Sequence, residues 1–217
     1  MFDWQIVITH LPDLLRATVR TIQLTLWTVL LGTVLGVALA IVRQSAAPML
    51  GRAIAVYSWF MRTGPLLVIL YFLYYGLPRV GIYLPAFQLA VLGGGVASGA
   101  YYMEIIRGGI LAVPKGQMDA ARALGMHPLR VWTRVVLPQA IPVFLPPFVS
   151  NTQLILKGSS LAGVITVAEL TGVGNRFISL TFRPLEILFP VAVIYLTLNS
   201  VLVLLQMAGE RAWHTRR

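Results

Sequence analysis

Five long apolar stretches dominate this sequence and restrict what it can fold into. They lie near residues 21–42, 54–75, 86–106, 143–165 and 187–208. A helix of about 20 apolar residues crosses the roughly 30 Å hydrocarbon core of a bilayer. Charged residues make up 11% of the chain, whereas a soluble domain has about a quarter. The sequence therefore predicts an all-α integral membrane protein with about five transmembrane helices.

The fourth stretch and the N-terminal segment are the least regular parts of this pattern. Pro142, Pro146 and Pro147 crowd the start of the fourth stretch, and Lys157 lies within it. We expect neighbouring helices to support a bent backbone there. The residues before the first stretch lack a basic region and a small-residue cleavage site. They are predicted to form an interfacial amphipathic lead-in rather than a removable signal peptide.

Basic residues predict the orientation of the chain. One side carries the first connection, the third connection and the tail, with Arg43, Arg52, Arg107, Lys115, Arg122, Arg130, Arg134, Arg211, Arg216 and Arg217. The other side carries a mixture of both charges, with Arg16, Arg20, Arg79, Arg176, Arg183, Asp3, Asp13, Glu169 and Glu186. By the positive-inside rule the N-terminus lies outside, and the third connection and the C-terminus lie in the cytoplasm.

Few residues offer catalytic or cofactor chemistry. The chain has no cysteine, and His10, His127 and His214 are scattered, so no cluster of acids, bases or metal ligands is visible. The run Gly93–Gly95 is not followed by the lysine of a phosphate-binding loop. The net charge of +10 is spread over membrane-flanking positions without an aromatic-basic face. We expect no nucleic-acid binding and no cofactor on this chain, and an intramembrane enzyme or a passive channel stands as the alternative function.

Within the third connection, the polar segment "GQMDAARALG" predicts a short helix that ends at Gly125, because glycine accepts a left-handed helix end. Pro128 is predicted to begin a second helix, which stops at Pro138. In the first helix a shallow apolar patch is formed by Ala120, Ala121 and Leu124. In the second helix the apolar face is formed by Leu129, Trp132, Val135 and Val136. These residues alone leave open whether the two helices dock on a partner or lie on the membrane surface.

Several segments resemble one protein family. "DAARALGMHPLRVWTRVVLPQA", which begins at Asp119, is similar to the EAA loop of ABC-importer membrane subunits. "RTGPLLVILYFLYYGLP" from Arg62 and "AYYMEIIRGGILAVPKGQ" from Ala100 resemble the segments that precede this loop in the family. "LKGSSLAGVITVAELT" from Leu156 resembles the segment that follows it. The likeness covers nearly the whole chain and points to the polar amino acid uptake branch, which includes histidine, glutamine and glutamate permeases.

The resemblance implies a fold, a location and partners. It implies one transmembrane permease domain over residues 1–217, of the type I ABC importer fold, with a cytoplasmic coupling loop at about residues 114–138. The expected location is the bacterial inner membrane. The expected partners are two ATP-binding cassette subunits that hold ATP and Mg, a second permease subunit that is either the same chain or a paralogue, an extracytoplasmic solute-binding protein and membrane lipid. The implied function is uptake of polar amino acids or their derivatives, opines included, by alternating access.

The resemblance also implies site residues. Those expected to couple to the ATPase are Asp119, Ala120, Ala121, Gly125 and Pro138. The family usually has glutamate at the position of Asp119, so the reach of the carboxylate is one methylene shorter here. Those expected along the substrate route are Glu104, Arg107, Thr152, Leu154, Leu156, Lys157, Gly158 and Ser159. A buried pair between Glu104 and Arg107 explains these two charges as well as direct lining of the route does.

The fourth stretch carries the expectation about substrate. Its route residues are expected at alternate positions of an irregular segment: Thr152, Leu154, Leu156 and Gly158. Many relatives read Lys-Asp-Thr-Ser where this chain reads Lys157, Gly158, Ser159 and Ser160. A carboxylate that would pair with a cationic side chain is therefore missing, which disfavours lysine and arginine as substrates.

Overall fold

The chain is helical along nearly all the residues that the structure describes. The computed structural model describes residues 2–45 and 48–214, so Arg216 and Arg217 of the basic tail lie outside the described residues. The helices are α1 Trp4–Ser45, α2 Pro48–Thr63, α3 Leu66–Tyr71, α4 Ala86–Leu111, α5 Lys115–Ala123, α6 Pro128–Val131, α7 Leu137–Gly158, α8 Leu170–Thr181 and α9 Pro184–His214. Shorter helical turns follow three of them, at Phe72–Gly76 and Leu77–Val80 after α3, Trp132–Val136 after α6 and Ser159–Ile165 after α7.

Three of the described helices, α1, α4 and α9, are each long and apolar enough to cross a membrane. Two bent pairs supply up to two more spans. The segment Leu66–Val80 follows α2 at an angle of 102°, and α8 follows the segment Pro128–Ile165 at 49°. These helices confirm the predicted all-α membrane fold with about five spans.

Two features of the structure go beyond the pattern of straight spans. The N-terminal lead-in is helical and continuous with α1, and its Leu14 is fully buried against Leu170 of α8 and Val191 of α9. The second apolar stretch does not form one straight helix. The helix breaks at Gly64 and Pro65. The backbone of Pro65 is extended, with ψ of 127°. A proline also disfavours a helical conformation in the residue before it, which here is Gly64.

Two Gly-x-x-x-Gly motifs join α1 to α4. A Cβ atom on Gly32 would lie 2.8 Å from the Cβ of Ser98, and one on Gly36 would lie 2.7 Å from the Cβ of Tyr102. On the facing helix, a Cβ on Gly95 would lie 2.5 Å from the side chain of Leu31. Side chains larger than hydrogen do not fit at these positions, so the two backbones approach closely, as the sequence predicted.

Candidate functional site

The loop between α4 and α7 contains the helix-turn-helix predicted from the sequence. Helix α5 ends at Ala123, and Gly125 has φ of 73°, in the left-handed region. The amide of Gly125 donates to the carbonyl of Arg122 at 2.9 Å, and the amide of Met126 donates to the carbonyl of Ala121 at 3.2 Å. This pair of hydrogen bonds is a Schellman motif, which requires the positive φ that glycine adopts without strain.

The loop has a small apolar core of its own. Ala121 is 5% exposed and packs with Val113, Val131, Val136 and Ala140. Of the patch predicted for Ala120, Ala121 and Leu124, Ala121 is therefore buried inside the loop, where it packs α5 against the second half of the loop, while the other two residues are exposed. Packing inside the loop therefore explains the small side chain of Ala121 without any contact to a partner.

The second loop helix does not stop at Pro138. Helix α6 continues through a π-helical turn, Trp132–Val136, directly into α7. In that turn the amide of Leu137 donates to the carbonyl of Trp132, five residues earlier. A proline inside an α-helix clashes with the carbonyl four residues before it, and the wider π turn relieves this contact. The second half of the loop, from Pro128, and α7 are therefore one continuous helical segment.

The outer surface of the loop combines charged and apolar side chains. Asp119 and Arg122 are exposed and 3.9 Å apart, and Ala120 beside them is exposed. Leu124 is 82% exposed and Leu129 is 66% exposed, one on each side of the turn at Gly125. The predicted apolar face of the second helix is wrong for Leu129, which points outward while Val136 is buried. Two exposed leucines beside a charged pair form a surface suited to docking.

A charged network lies at the same end of the bundle. The carboxylate of Glu104 accepts from Arg107 at 2.8 Å and 2.9 Å, and it is also paired with Arg43 of α1. Ser58 of α2 donates to it at 3.3 Å. The pair of Glu104 and Arg107 is thus present, and Glu104 ties α1, α2 and α4 together. The sequence did not identify Arg43 and Ser58, because only the fold brings them to Glu104.

A small cavity lies between α1, α3, α4 and the end of α7. Its polar lining comes from Thr28, Ser98 and Ser159, and Gly158 also borders it. The rest of its wall is apolar: Leu24, Leu66, Leu70, Ala90, Gly94, Ile155 and Ala162. Two of the predicted route residues, Gly158 and Ser159, therefore face a common space.

The sequence did not identify the α1 side of this cavity, although it carries a visible signal. Thr21, Thr25 and Thr28 recur at helical spacing in an otherwise apolar stretch, and all three are buried. The hydroxyl of Thr25 donates to the carbonyl of Thr21 at 2.8 Å. A hydroxyl can satisfy its helix in this way and still offer its oxygen to another donor.

The cavity has a volume of about 40 Å³, enough for a few water molecules at about 10–15 Å³ each. A polar amino acid is larger than this space.

The other predicted route residues do not share one face. Residues 137–158 are α-helical, so alternate positions point in different directions: Leu154 is 59% exposed and Leu156 is 3% exposed. The expectation of an irregular segment with alternate positions on the route is wrong for this reason. Thr152 shares a hydrogen bond of 2.8 Å with the hydroxyl of Tyr102. Lys157 is exposed in the last turn of α7, where a cation is stabilised by the helix dipole.

At the opposite end of the bundle, Glu169 and Leu170 join three helices at the start of α8. Its fully buried carboxylate accepts from the amides of Thr171 at 2.9 Å and Gly172 at 2.5 Å, and from the hydroxyl of Tyr195 at 3.2 Å. The amide of the next residue, Leu170, donates to the hydroxyl of Thr21 in α1 at 3.0 Å. Glu169 thus caps α8 and joins it to α9, and the amide of Leu170 joins α8 to α1.

Comparison with known families identifies the class of this chain. Residues 21–214 match the family described as the binding-protein-dependent transport system inner membrane component. The chain belongs to this family. As the resemblance predicted, it is a permease subunit of the ABC-importer type.

Similar proteins agree with this assignment. The permease is 37% identical over 226 residues to the octopine transport system permease protein OccM of Rhizobium radiobacter, covering 100% of this chain and 91% of that one. It is 36% identical over 219 residues to the nopaline transport system permease protein NocM of Agrobacterium fabrum, covering 96% and 90%. Its fold is similar to a chain in the crystal structure of an amino acid ABC transporter with histidines. That match has a TM-score of 0.89, 32% sequence identity and coverage of 98% and 99%.

Proposed function

We propose that this permease forms one half of the pore of an ATP-driven importer for polar amino acids or amino acid derivatives. The relatives that support this substrate class carry names that refer to octopine, nopaline and amino acids. The loop around Gly125 docks on a separate ATP-binding subunit, which holds ATP and Mg and carries out hydrolysis. A second permease subunit completes the pore, and an extracytoplasmic solute-binding protein delivers the substrate.

One observation carries the coupling mechanism. The segment from Pro128 through the π turn to Gly158 is continuously helical, and its far end borders the cavity at Ile155 and Gly158. A displacement of the docked loop is therefore transmitted along a single helical segment to the cavity wall. The π turn at Trp132–Val136 and the prolines Pro142, Pro146 and Pro147 inside α7 lack the regular hydrogen-bonding pattern, so they are the points where this segment bends most readily.

The charged network and the buried Glu169 support the same mechanism. Glu104 anchors α4 to α1 and α2 at the loop end, and at the other end Glu169 anchors α8 to α9 while Leu170 anchors it to α1. These contacts hold one group of helices together while α7 moves. Closure of the ATP-binding subunits draws the two coupling loops together and opens the cavity outward, and hydrolysis resets it inward. The motor and the substrate act on the same two-state equilibrium, each by preferring one state.

A crosslinking experiment tests the docking step. Since the chain has no cysteine, Ala120→Cys introduces one thiol at an exposed position of α5. A short thiol crosslinker applied to native membranes is expected to join this thiol to an ATP-binding protein, identified by mass spectrometry. The matched control is Ala121→Cys, one residue away but buried, which is expected to react at least tenfold more slowly. Crosslinks from Ala120→Cys only to unrelated membrane proteins, or substrate flux that persists without ATP, would contradict the proposal.

A further inference from the structure

A cationic cavity lies between α1 and α8 at the end of the bundle opposite the coupling loop. It has a volume of about 490 Å³, and its charged lining consists of Arg16, Arg20, Arg176 and Asp13. Asp13 pairs with Arg16 at 3.3 Å, so these two charges offset each other. The apolar remainder of the lining is Ala17, Ala168, Val173, Phe177 and Leu180.

Arg20 and Arg176 leave the cavity with an excess of positive charge. Arg20 donates to the neutral side chain of Gln23 at 3.2 Å and lies over the ring of Phe87 at 5.4 Å. Arg176 is exposed on α8. Within residues 2–45 and 48–214, neither arginine forms a salt bridge with a carboxylate. Both guanidinium groups are therefore available to an anion from outside the chain.

The depth of this cavity can be measured along α1 from Arg43, which belongs to the charged network at the loop end. At 1.5 Å per residue, Arg20 and Arg16 lie about 35 and 40 Å from Arg43. The hydrocarbon core of a bilayer is about 30 Å thick, and its headgroups extend the total to about 40–45 Å. The two arginines therefore lie at the level of the lipid headgroups on the opposite side of the membrane.

Below Arg20, the same face of α1 is apolar and exposed. Trp27, Leu30 and Val34 follow at helical spacing, and each is more than half exposed. A face of this kind within the hydrocarbon region is in contact with acyl chains. A phospholipid has a phosphate at headgroup depth, which matches the arginines, and acyl chains below it, which match the apolar face of α1. A soluble protein partner would use only the charged end.

We propose that this cavity binds the phosphate headgroup of an anionic phospholipid, with Arg20 and Arg176 as its ligands and the acyl chains along the exposed face of α1. The bound lipid bridges α1 and α8 at the end where the hydrogen bond from the amide of Leu170 to Thr21 also joins them. The proposal concerns the membrane-facing surface and is independent of which solute the permease carries.

Native mass spectrometry of the purified transporter tests the proposal, with phosphatidylglycerol and phosphatidylcholine of the same acyl chains as probes. The wild type is expected to retain phosphatidylglycerol in preference to phosphatidylcholine. The double variant Arg20→Gln, Arg176→Gln is expected to lose about 25-fold in phosphatidylglycerol affinity, from about fivefold for each arginine near the membrane surface. The matched control is Arg79→Gln, an exposed arginine predicted to lie on the same side but outside the cavity, which is expected to leave the affinity unchanged.

The remaining outcomes separate other occupants from the lipid. Equal retention of phosphatidylglycerol by the wild type and the double variant would overturn the proposal. Displacement of phosphatidylglycerol by inorganic phosphate at millimolar concentration would indicate a site for free anions instead. Weaker binding of the solute-binding protein by the double variant, with lipid retention unchanged, would assign the arginines to that protein. Thermal unfolding in phosphatidylcholine, where both forms are expected to match, establishes that the double variant folds.

Discussion

At the level of single residues, Glu104 does the most to organise the charged end of the bundle. It is the only carboxylate among the described ion pairs that bridges two arginines, Arg43 and Arg107, and it receives Ser58 as well. Its side chain is 20% exposed, so water compensates poorly for a lost partner. Both arginines depend on this carboxylate for charge neutralisation at a depth where solvation is weak.

Replacing Glu104 by glutamine is expected to destabilise the permease. The two arginines would then lie together without a counter-charge. The expected loss in free energy of unfolding is about 1 to 3 kcal/mol, a value between those for breaking an exposed pair and a fully buried pair. Thermal unfolding of the purified protein in detergent measures the effect. Asp13→Asn, which breaks an exposed pair with Arg16, is the control and is expected to change the unfolding temperature little. Equal shifts for both variants would show that Glu104 adds no more than a surface pair.

Gly125 is expected to be required for its backbone conformation rather than for space. A Cβ on this residue would meet no atom within 4 Å, but its φ of 73° is strained for branched side chains. Gly125→Val is therefore expected to reduce substrate-stimulated ATP hydrolysis at least tenfold, whereas Gly125→Asn, which tolerates the left-handed region, retains most of it. ATPase assays in proteoliposomes compare the two. Full stimulation of the valine variant would show that coupling does not need the Schellman turn.

At the level of elements, the closest helix contact is the one between α1 and α4. A methyl group on Gly36 would meet the Cβ of Tyr102 at 2.7 Å and the backbone nitrogen of Met103 at 2.9 Å, and neither atom can move without shifting α4. Gly108 lies on α4 with no atom within 4 Å of its would-be Cβ. The two glycines therefore form a matched pair that differs in the room around them.

Gly36→Ala is expected to lower the unfolding temperature of the permease, because it forces α1 and α4 apart. Gly108→Ala is expected to be neutral or slightly stabilising, since alanine is about 1 kcal/mol more favourable than glycine inside a helix. Unfolding followed by circular dichroism in detergent compares the variants. A fall of the same size for both would mean that helix propensity, and not the close contact, determines the result.

The elements also show what a sequence can reveal about this fold. Hydropathy locates the spans, and the glycine spacing in α1 and α4 predicts their contact, because both signals are local. The passage of the helix through Pro138 depends on the π turn before it, so the local rule that proline stops a helix misplaced this end. The inward position of Ala121 depends on packing against Val131 and Val136, which the chain brings together only after folding. The same holds for Arg43 and Glu104.

At the level of the whole molecule, the proposed mechanism connects two features: the small volume of the cavity and the helical segment that runs from the loop to the cavity wall. The cavity at Gly158 and Ser159 has a volume of about 40 Å³, too small for an amino acid. The helical segment that borders it begins in the loop after Gly125. In the proposed mechanism, opening the cavity and moving the loop are two aspects of one conformational change, and the substrate meets the cavity wall only in the open state.

Gly158→Asp tests which chemistry the wall offers. A Cβ on Gly158 would lie 3.8 Å from Leu66, at ordinary contact distance, so an aspartate is accommodated. It would add a carboxylate beside Ser98 and Ser159, and a cation there would gain an ion pair in a weakly solvated site. We expect lysine and arginine to compete at least fivefold more strongly for uptake than they do in the wild type. Inhibition of radiolabelled substrate uptake into proteoliposomes, with the solute-binding protein present, measures the competition.

Gly158→Asn is the control for this last variant, because it has nearly the same size and shape without the charge. It is expected to leave the competition by lysine and arginine at the wild-type level. If both variants change the competition by lysine and arginine equally, the effect comes from the size of the side chain, and charge in the cavity wall does not affect selectivity. If neither shifts it while transport continues, the solute-binding protein alone sets selectivity, and the cavity conducts whatever that protein delivers.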